Sequence, residues 1–118
     1  MNEKVFFNEL LQIEIVFNEK VYDKELKVIL DVAAEFIKKN YQKNVPVHLL
    51  VNINKVNMIT VESRKRCSIW LLKQPIDKIA VYGDNLFMKY FIQMFTKGLG
   101  LTDKMKFFVS KAEAQQWL

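Results

Sequence analysis

The sequence predicts an α/β fold in which a mixed, mostly parallel sheet of about five strands carries four helices. Three observations lead there. The second half of the chain reads strand, helix, strand, helix. Ile79, Ala80, Val81 and Tyr82 form a short apolar run ended by Gly83, the pattern of a strand buried on both faces. Phe87, Tyr90, Phe91, Met94 and Phe95 recur at helical spacing, and Gly98 suits a helix stop. Met105 to Val109 is the next strand, and Ser110 with Glu113 makes a capping box that starts a last helix. Second, the run from Tyr22 to about Asn40 is strongly amphipathic at helical period. Third, Val45, Val47, Leu49, Leu50, Val51 and Ile53 make a nearly all-apolar strand between two helical patterns.

Each element has its own warrant. Lys4 to Phe7 is a strand, broken by a tight hairpin turn at Asn8-Glu9. Leu11, Ile13, Ile15 and Phe17 alternate with Gln12, Glu14 and Val16, which predicts a half-buried strand antiparallel to the first, closed by Asn18-Glu19-Lys20. Leu26, Ile29, Leu30, Ala33, Phe36 and Ile37 then step by three and four residues along one helix face, read as core and not as a docking surface. Lys38 and Lys39 sit in its last turn, where cations suit the helix dipole. Pro46 stands at the start of the strand Val47–Ile53, where a missing N–H is tolerated; its apolar character places that strand centrally. Residues 54–59 form a loop that re-enters the structure. Thr60 caps a helix running to Leu72, with Ile59, Ser63, Cys67, Trp70 and Leu71 on one face, and Gln74-Pro75 ends it. Right-handed crossovers put the helices on the sheet, and the last helix docks Trp117 and Leu118 there.

Composition narrows the function classes. A chain of 118 residues with 51% hydrophobic and 26% charged residues suits one soluble domain spanning residues 1–118. The net charge is +5, but 16 of the 18 basic residues are scattered lysines and only Arg64-Lys65-Arg66 cluster, so no nucleic-acid partner is expected. The single cysteine, Cys67, excludes an internal disulfide and fits a reducing compartment. The opening Met1-Asn2-Glu3-Lys4 leads into apolar residues interrupted by polar ones, unlike a signal peptide, and no apolar run has membrane-spanning length. The expectation is a cytoplasmic protein without an integral membrane segment.

The usual chemical signatures are missing. Gly83, Gly98 and Gly100 build no phosphate loop. His48, the single histidine, lies in a predicted strand with no ligand grouped beside it, and Cys67 lies mid-helix at a core-facing position without a base. No metal, no cofactor and no enzyme activity are expected. Two places stand out. Thr60-Val61-Glu62-Ser63 opens a helix, where a dipole favours negative charge, although simple capping explains the hydroxyls. Gly83-Asp84-Asn85 follows the carboxyl end of a strand, where open α/β sheets bind ligands, although a helix cap explains it equally.

Three segments carry a family resemblance: Ala80-Val81-Tyr82-Gly83, then Lys104-Met105-Lys106-Phe107-Phe108, then Glu113-Ala114-Gln115-Gln116-Trp117-Leu118. With the order of elements, they make nearly the whole chain resemble the SpoIIAA-like fold of STAS domains, above all the small stand-alone STAS-like proteins of bacteria. In anti-sigma-factor antagonists of this fold a strand-to-helix turn carries Asp-Ser-Ser-Gly, with the second serine phosphorylated. Laid on this chain, that motif falls on Thr60, Val61, Glu62 and Ser63, so Glu62 stands at the acceptor position and the pattern departs from the family's. The resemblance implies a non-catalytic regulatory domain that binds a protein partner through Asn57, Thr60, Glu62, Ser63, Arg64 and Arg66, a fixed surface rather than a phosphoswitch. It leaves a homodimer open. The alternative it implies is a small apolar, lipid-like ligand or a nucleotide held between sheet and helices, with Phe87, Phe91, Met94 and Phe95 lining the pocket.

Overall fold

The structure, a computed structural model, describes residues 4–118; Met1, Asn2 and Glu3, part of the stretch read against a signal peptide, lie outside the described residues. The elements run β1 (Val5–Phe7), β2 (Ile13–Val16), β3 (Lys20–Val21), α1 (Asp23–Gln42), β4 (His48–Asn52), β5 (Met58–Ile59), α2 (Val61–Lys73), β6 (Lys78–Tyr82), α3 (Leu86–Gly98), β7 (Met105–Phe108) and α4 (Lys111–Trp117). Five strands lie side by side in the order β1-β2-β4-β6-β7. Strands β2, β4, β6 and β7 are parallel, and β1 is the antiparallel edge partner of β2. The mixed, mostly parallel five-stranded sheet and its four helices are as the sequence predicts.

Strand order follows chain order, and this fixes the layers. Each crossover through α1, α2 or α3 steps one way across the sheet, so right-handed connections leave all three helices on one face. Ile13, Ile15, Leu49, Val51, Ile79 and Val81 point into that layer and pack with Leu26, Leu30, Ala33 and Ile37 of α1 and Met88 and Ile92 of α3. Helix α4 turns back over the opposite face, onto Leu50, Ala80 and Tyr82, with Trp117 and Leu118 docked beside them as the sequence predicts. Such a straight order has no reversal point, so no crevice opens between strands as in doubly wound sheets.

Several local expectations need correction. The hairpin turn is not confined to Asn8-Glu9. It runs to Gln12, with the Leu11 N–H donating to the Asn8 carbonyl and the Asn8 carboxamide oxygen accepting from the N–H groups of Leu10 and Gln12. Leu11 leaves the strand and takes φ 62°, and the buried Asn40 of α1 donates from Nδ2 to its carbonyl at 3.1 Å. Strand β2 is not half-buried: α4 and the hairpin cover Gln12 and Glu14, and Asn8 Nδ2 and Lys111 Nζ bond the Glu14 carboxylate at 3.1 and 3.3 Å. The loop re-entering at 54–59 forms a strand: β5 pairs in parallel with β3, a two-residue ribbon beside the main sheet.

Helix ends are also later than periodicity suggests. Gly98 belongs to α3, and the stop is Gly100 at φ +70°. There the N–H of Gly100 bonds the Lys97 carbonyl and that of Leu101 bonds the Thr96 carbonyl, which is a Schellman ending. Helix α1 ends the same way two residues past Asn40. Asn44 is left-handed at φ 59°, its N–H bonds the Tyr41 carbonyl, and that of Val45 bonds the Asn40 carbonyl. Asn is the non-glycine residue best able to take that conformation.

Candidate functional site

The start of α2 is held by a chain of short hydrogen bonds. Thr60 Oγ1 accepts from the Ser63 N–H at 3.1 Å and donates to Ser63 Oγ at 2.9 Å; the Ser63 hydroxyl then donates to the Val21 carbonyl at 2.9 Å. The same β3 strand receives the Thr60 N–H at Val21, while Glu19 just before it accepts from the N–H groups of Asn57 and Met58. One residue into α1, the Asp23 carboxylate grips the Arg66 guanidinium from both oxygens, at 2.5 and 2.9 Å. The hydrogen bond from Arg66 holds Asp23 below the usual carboxylate range, and the same bond raises Arg66.

This geometry sorts the six residues expected at a partner surface. Asn57 and Glu62 are exposed, and Thr60 and Arg64 are half-buried. Ser63 is 0% exposed and belongs to the interior, with its hydroxyl committed to β3. Arg66 is half-buried and bound to Asp23. Periodicity does put Ser63 on the inner face with Cys67; what it does not show is that the hydroxyl finds its acceptor on a two-residue strand 42 positions away.

The second expected constellation is also divided. Phe91 and Phe95 face inward and stack on each other at 5.9 Å between centroids. Phe87 and Met94 are each 76% exposed. The buried row of α3 is Met88, Ile92 and Thr96. Helix α3 is apolar almost all round, so spacing alone admits two faces one residue apart. Packing on the sheet selects the Met88, Ile92 and Thr96 face; Asn85 caps the start, its Oδ1 accepting from the Phe87 and Met88 N–H groups at 2.8 and 3.3 Å. The Gly83-Asp84-Asn85 turn is therefore a helix cap. Gly83 permits it to pass the end of β4, since a Cβ there would stand 3.2 Å from Ile53 Cγ1.

Between the sheet and helices α2 and α3 lies a cavity of about 100 Å³. Ile15, Val51, Ile79 and Val81 form its floor, Cys67, Trp70 and Leu71 one wall, Phe91 and Phe95 the other. Arg64 is the one charged residue lining it among the described residues; its guanidinium lies 5.9 Å from the centre of the Phe91 ring. Burial pushes the Cys67 thiol up to about 12, so this wall is a neutral, inert surface near neutral pH. Sequence reading named Phe91 and Phe95 but missed Arg64, Cys67, Trp70 and Leu71 as cavity lining. The α2 face of Cys67, Trp70 and Leu71 was legible; that it stops short of the sheet was not.

The remaining titratable singleton, His48, is half-buried on the other sheet face and lowered by that burial, against the opposing pull of the Asp77 carboxylate. No group of three or more His, Cys, Asp or Glu among the described residues could hold a metal ion. No described helix is long and apolar enough to cross a membrane.

Comparison with known proteins agrees with the architecture. The family model described as SpoIIAA-like matches residues 12–118. A crystal structure of an uncharacterised protein with a SpoIIAA-like fold from Shewanella loihica PV-4 superposes with a TM-score of 0.71 at 12% identity, covering 97% of this chain and 89% of that one. No curated protein matches the chain.

Proposed function

The chain belongs to the SpoIIAA-like family, and from that premise we propose that it is a non-catalytic binding domain, one that takes a small apolar ligand between the sheet and helices α2 and α3. The cavity carries this reading. Cores are packed close to the density of organic crystals, and voids larger than a water are few. An empty apolar cavity of about 100 Å³ costs on the order of 2 kcal/mol at the penalty found for engineered cavities. That is a large share of a typical domain's stability, and an apolar occupant relieves it. Its lining offers shape and apolar contact but no base or nucleophile with a free acceptor, which supports binding without chemistry.

A second reading has its own observation. Asn57, Thr60, Glu62 and Arg64 remain accessible at the start of α2, on a segment clamped by β3 and Asp23. A rigid surface at that turn supports a regulatory protein partner, met in the cytoplasm by a single-domain protein, without a phosphorylation step at Ser63.

Native mass spectrometry of the purified protein tests the ligand reading. A mass excess that denaturation releases is the expected result, together with a melting temperature raised by small apolar probes. A bare mass and no response to any probe would overturn it and leave the partner reading, which a pull-down with Glu62→Lys as the comparison then tests.

A further inference from the structure

We propose that the ligand of this cavity is an anionic amphiphile, with a short apolar body inside and a carboxylate-like head held by Arg64. The inference rests on the ligand reading above and adds the class of compound. The cavity walls are apolar on every side, and Arg64, which lines them through its aliphatic stem, is the one charged residue among the described residues that does so. Arg64 is half-buried, so it spans from the cavity to solvent and marks the mouth. The neighbouring arginine, Arg66, has a carboxylate partner in Asp23; Arg64 has no ion pair and no side-chain hydrogen bond among the described residues.

Its guanidinium lies 5.9 Å from the centre of the Phe91 ring, within cation–π range, and its N–H fork has no side-chain acceptor among the described residues. A guanidinium fork matches a planar carboxylate in a bidentate pair. Exposed lysines such as Lys65 have no comparable contact with the cavity. The volume bounds the tail. A cavity of about 150 Å³ accepts benzene, so about 100 Å³ admits about four carbons of a tail, with any last methylene and the head at the mouth.

Hexanoate and hexan-1-ol, which differ only in the head, are the probes, with dissociation constants measured by calorimetry at low salt. The acid is expected to bind about tenfold tighter than the alcohol, the worth of one charge-assisted hydrogen-bonded pair, and added salt should narrow the gap. Arg64→Gln should erase the preference and leave hexan-1-ol binding unchanged; Arg64→Lys should restore part of it, and Lys65→Gln should leave it intact. If Arg64→Gln melts too low to assay, Arg64→Met keeps the aliphatic packing on Phe91 and reads the same loss. A preference that survives removal of Arg64, or one absent from the unsubstituted protein while the alcohol still binds, overturns the assignment of the head and leaves the apolar-ligand reading standing. Binding of neither probe overturns both.

Discussion

Thr60 and Ser63 close a hydrogen-bonded loop in which each hydroxyl has both a donor and an acceptor role. Removing the inner one takes away the Thr60 hydroxyl's acceptor and leaves the Val21 carbonyl with only the longer bond from the Thr60 N–H. Ser63→Ala should therefore cost about 1–3 kcal/mol in denaturant unfolding, and Ser63→Asp should cost more, because the site has no room or solvent for a charge. Glu62→Lys, one residue away and exposed, should shift the midpoint far less. Equal effects at 62 and 63 would contradict the buried placement. The Asp23–Arg66 pair gives a pH prediction. The folded-state value of Asp23 is depressed below its ordinary 3.8. Its contribution is thus present in full above that value and lost as pH falls through the lower folded one. The melting temperature of the unsubstituted protein should fall more steeply below pH 3.8 than that of Asp23→Asn; parallel curves would mean the pair does not anchor α2.

Helix α3 and helix α4 pose the two questions that belong to whole elements. For α3 the test is which stripe faces the sheet. Met88→Lys should unfold the protein or come close, since it places an unpaired charge in the core, while Met94→Lys should stay within about 0.5 kcal/mol, as surface changes usually do. The reverse ranking would restore the face that spacing suggested. For α4, a chain ending at Gln115 loses Trp117 and Leu118, which are half-buried against Leu50, Ala80 and Tyr82. Thermal unfolding should register about 1–2 kcal/mol for each, less than full burial would give, plus the loss of two cation–π contacts from Lys78 and Lys106 to the Trp117 ring. These elements also mark what the sequence made legible. The long helix α1, the apolar β4 and β6, and the caps Thr60 and Ser110 were readable because each carries a local signal over several residues or a fixed offset. Strands β3 and β5 were not, since two residues cannot show a period. The burial of Glu14 was hidden because a polar residue in alternation normally faces water, and Lys111, which pairs with it, lies 97 positions on. Of the cavity, Phe91 and Phe95 were in view; the gap between α2 and α3 is a property of packing and has no sequence pattern.

At the scale of the molecule the cavity and the layer order set the expectations. Cys67→Met, which puts a longer apolar side chain into a space of about 100 Å³, should raise the midpoint by up to about 1 kcal/mol, a few degrees for a chain of this size, and should weaken uptake of small apolar probes. A fall in stability would mean the void collapses when empty and has no spare room. If the chain is the one domain its composition suggests, calorimetry should show one cooperative transition; two would divide the chain. The straight order β1-β2-β4-β6-β7 has a further meaning in time. As the polypeptide leaves the ribosome, each new strand finds its neighbour already in place and closes one crossover only. The layer of α1, α2 and α3 can thus condense progressively during synthesis. The other face cannot: Leu50, Ala80 and Tyr82 wait uncovered until residues 111–117 emerge. A nascent chain paused after β7 has every strand paired and one side still adhesive, and it is this nearly finished sheet, more than the unfolded chain, that a holding chaperone would meet.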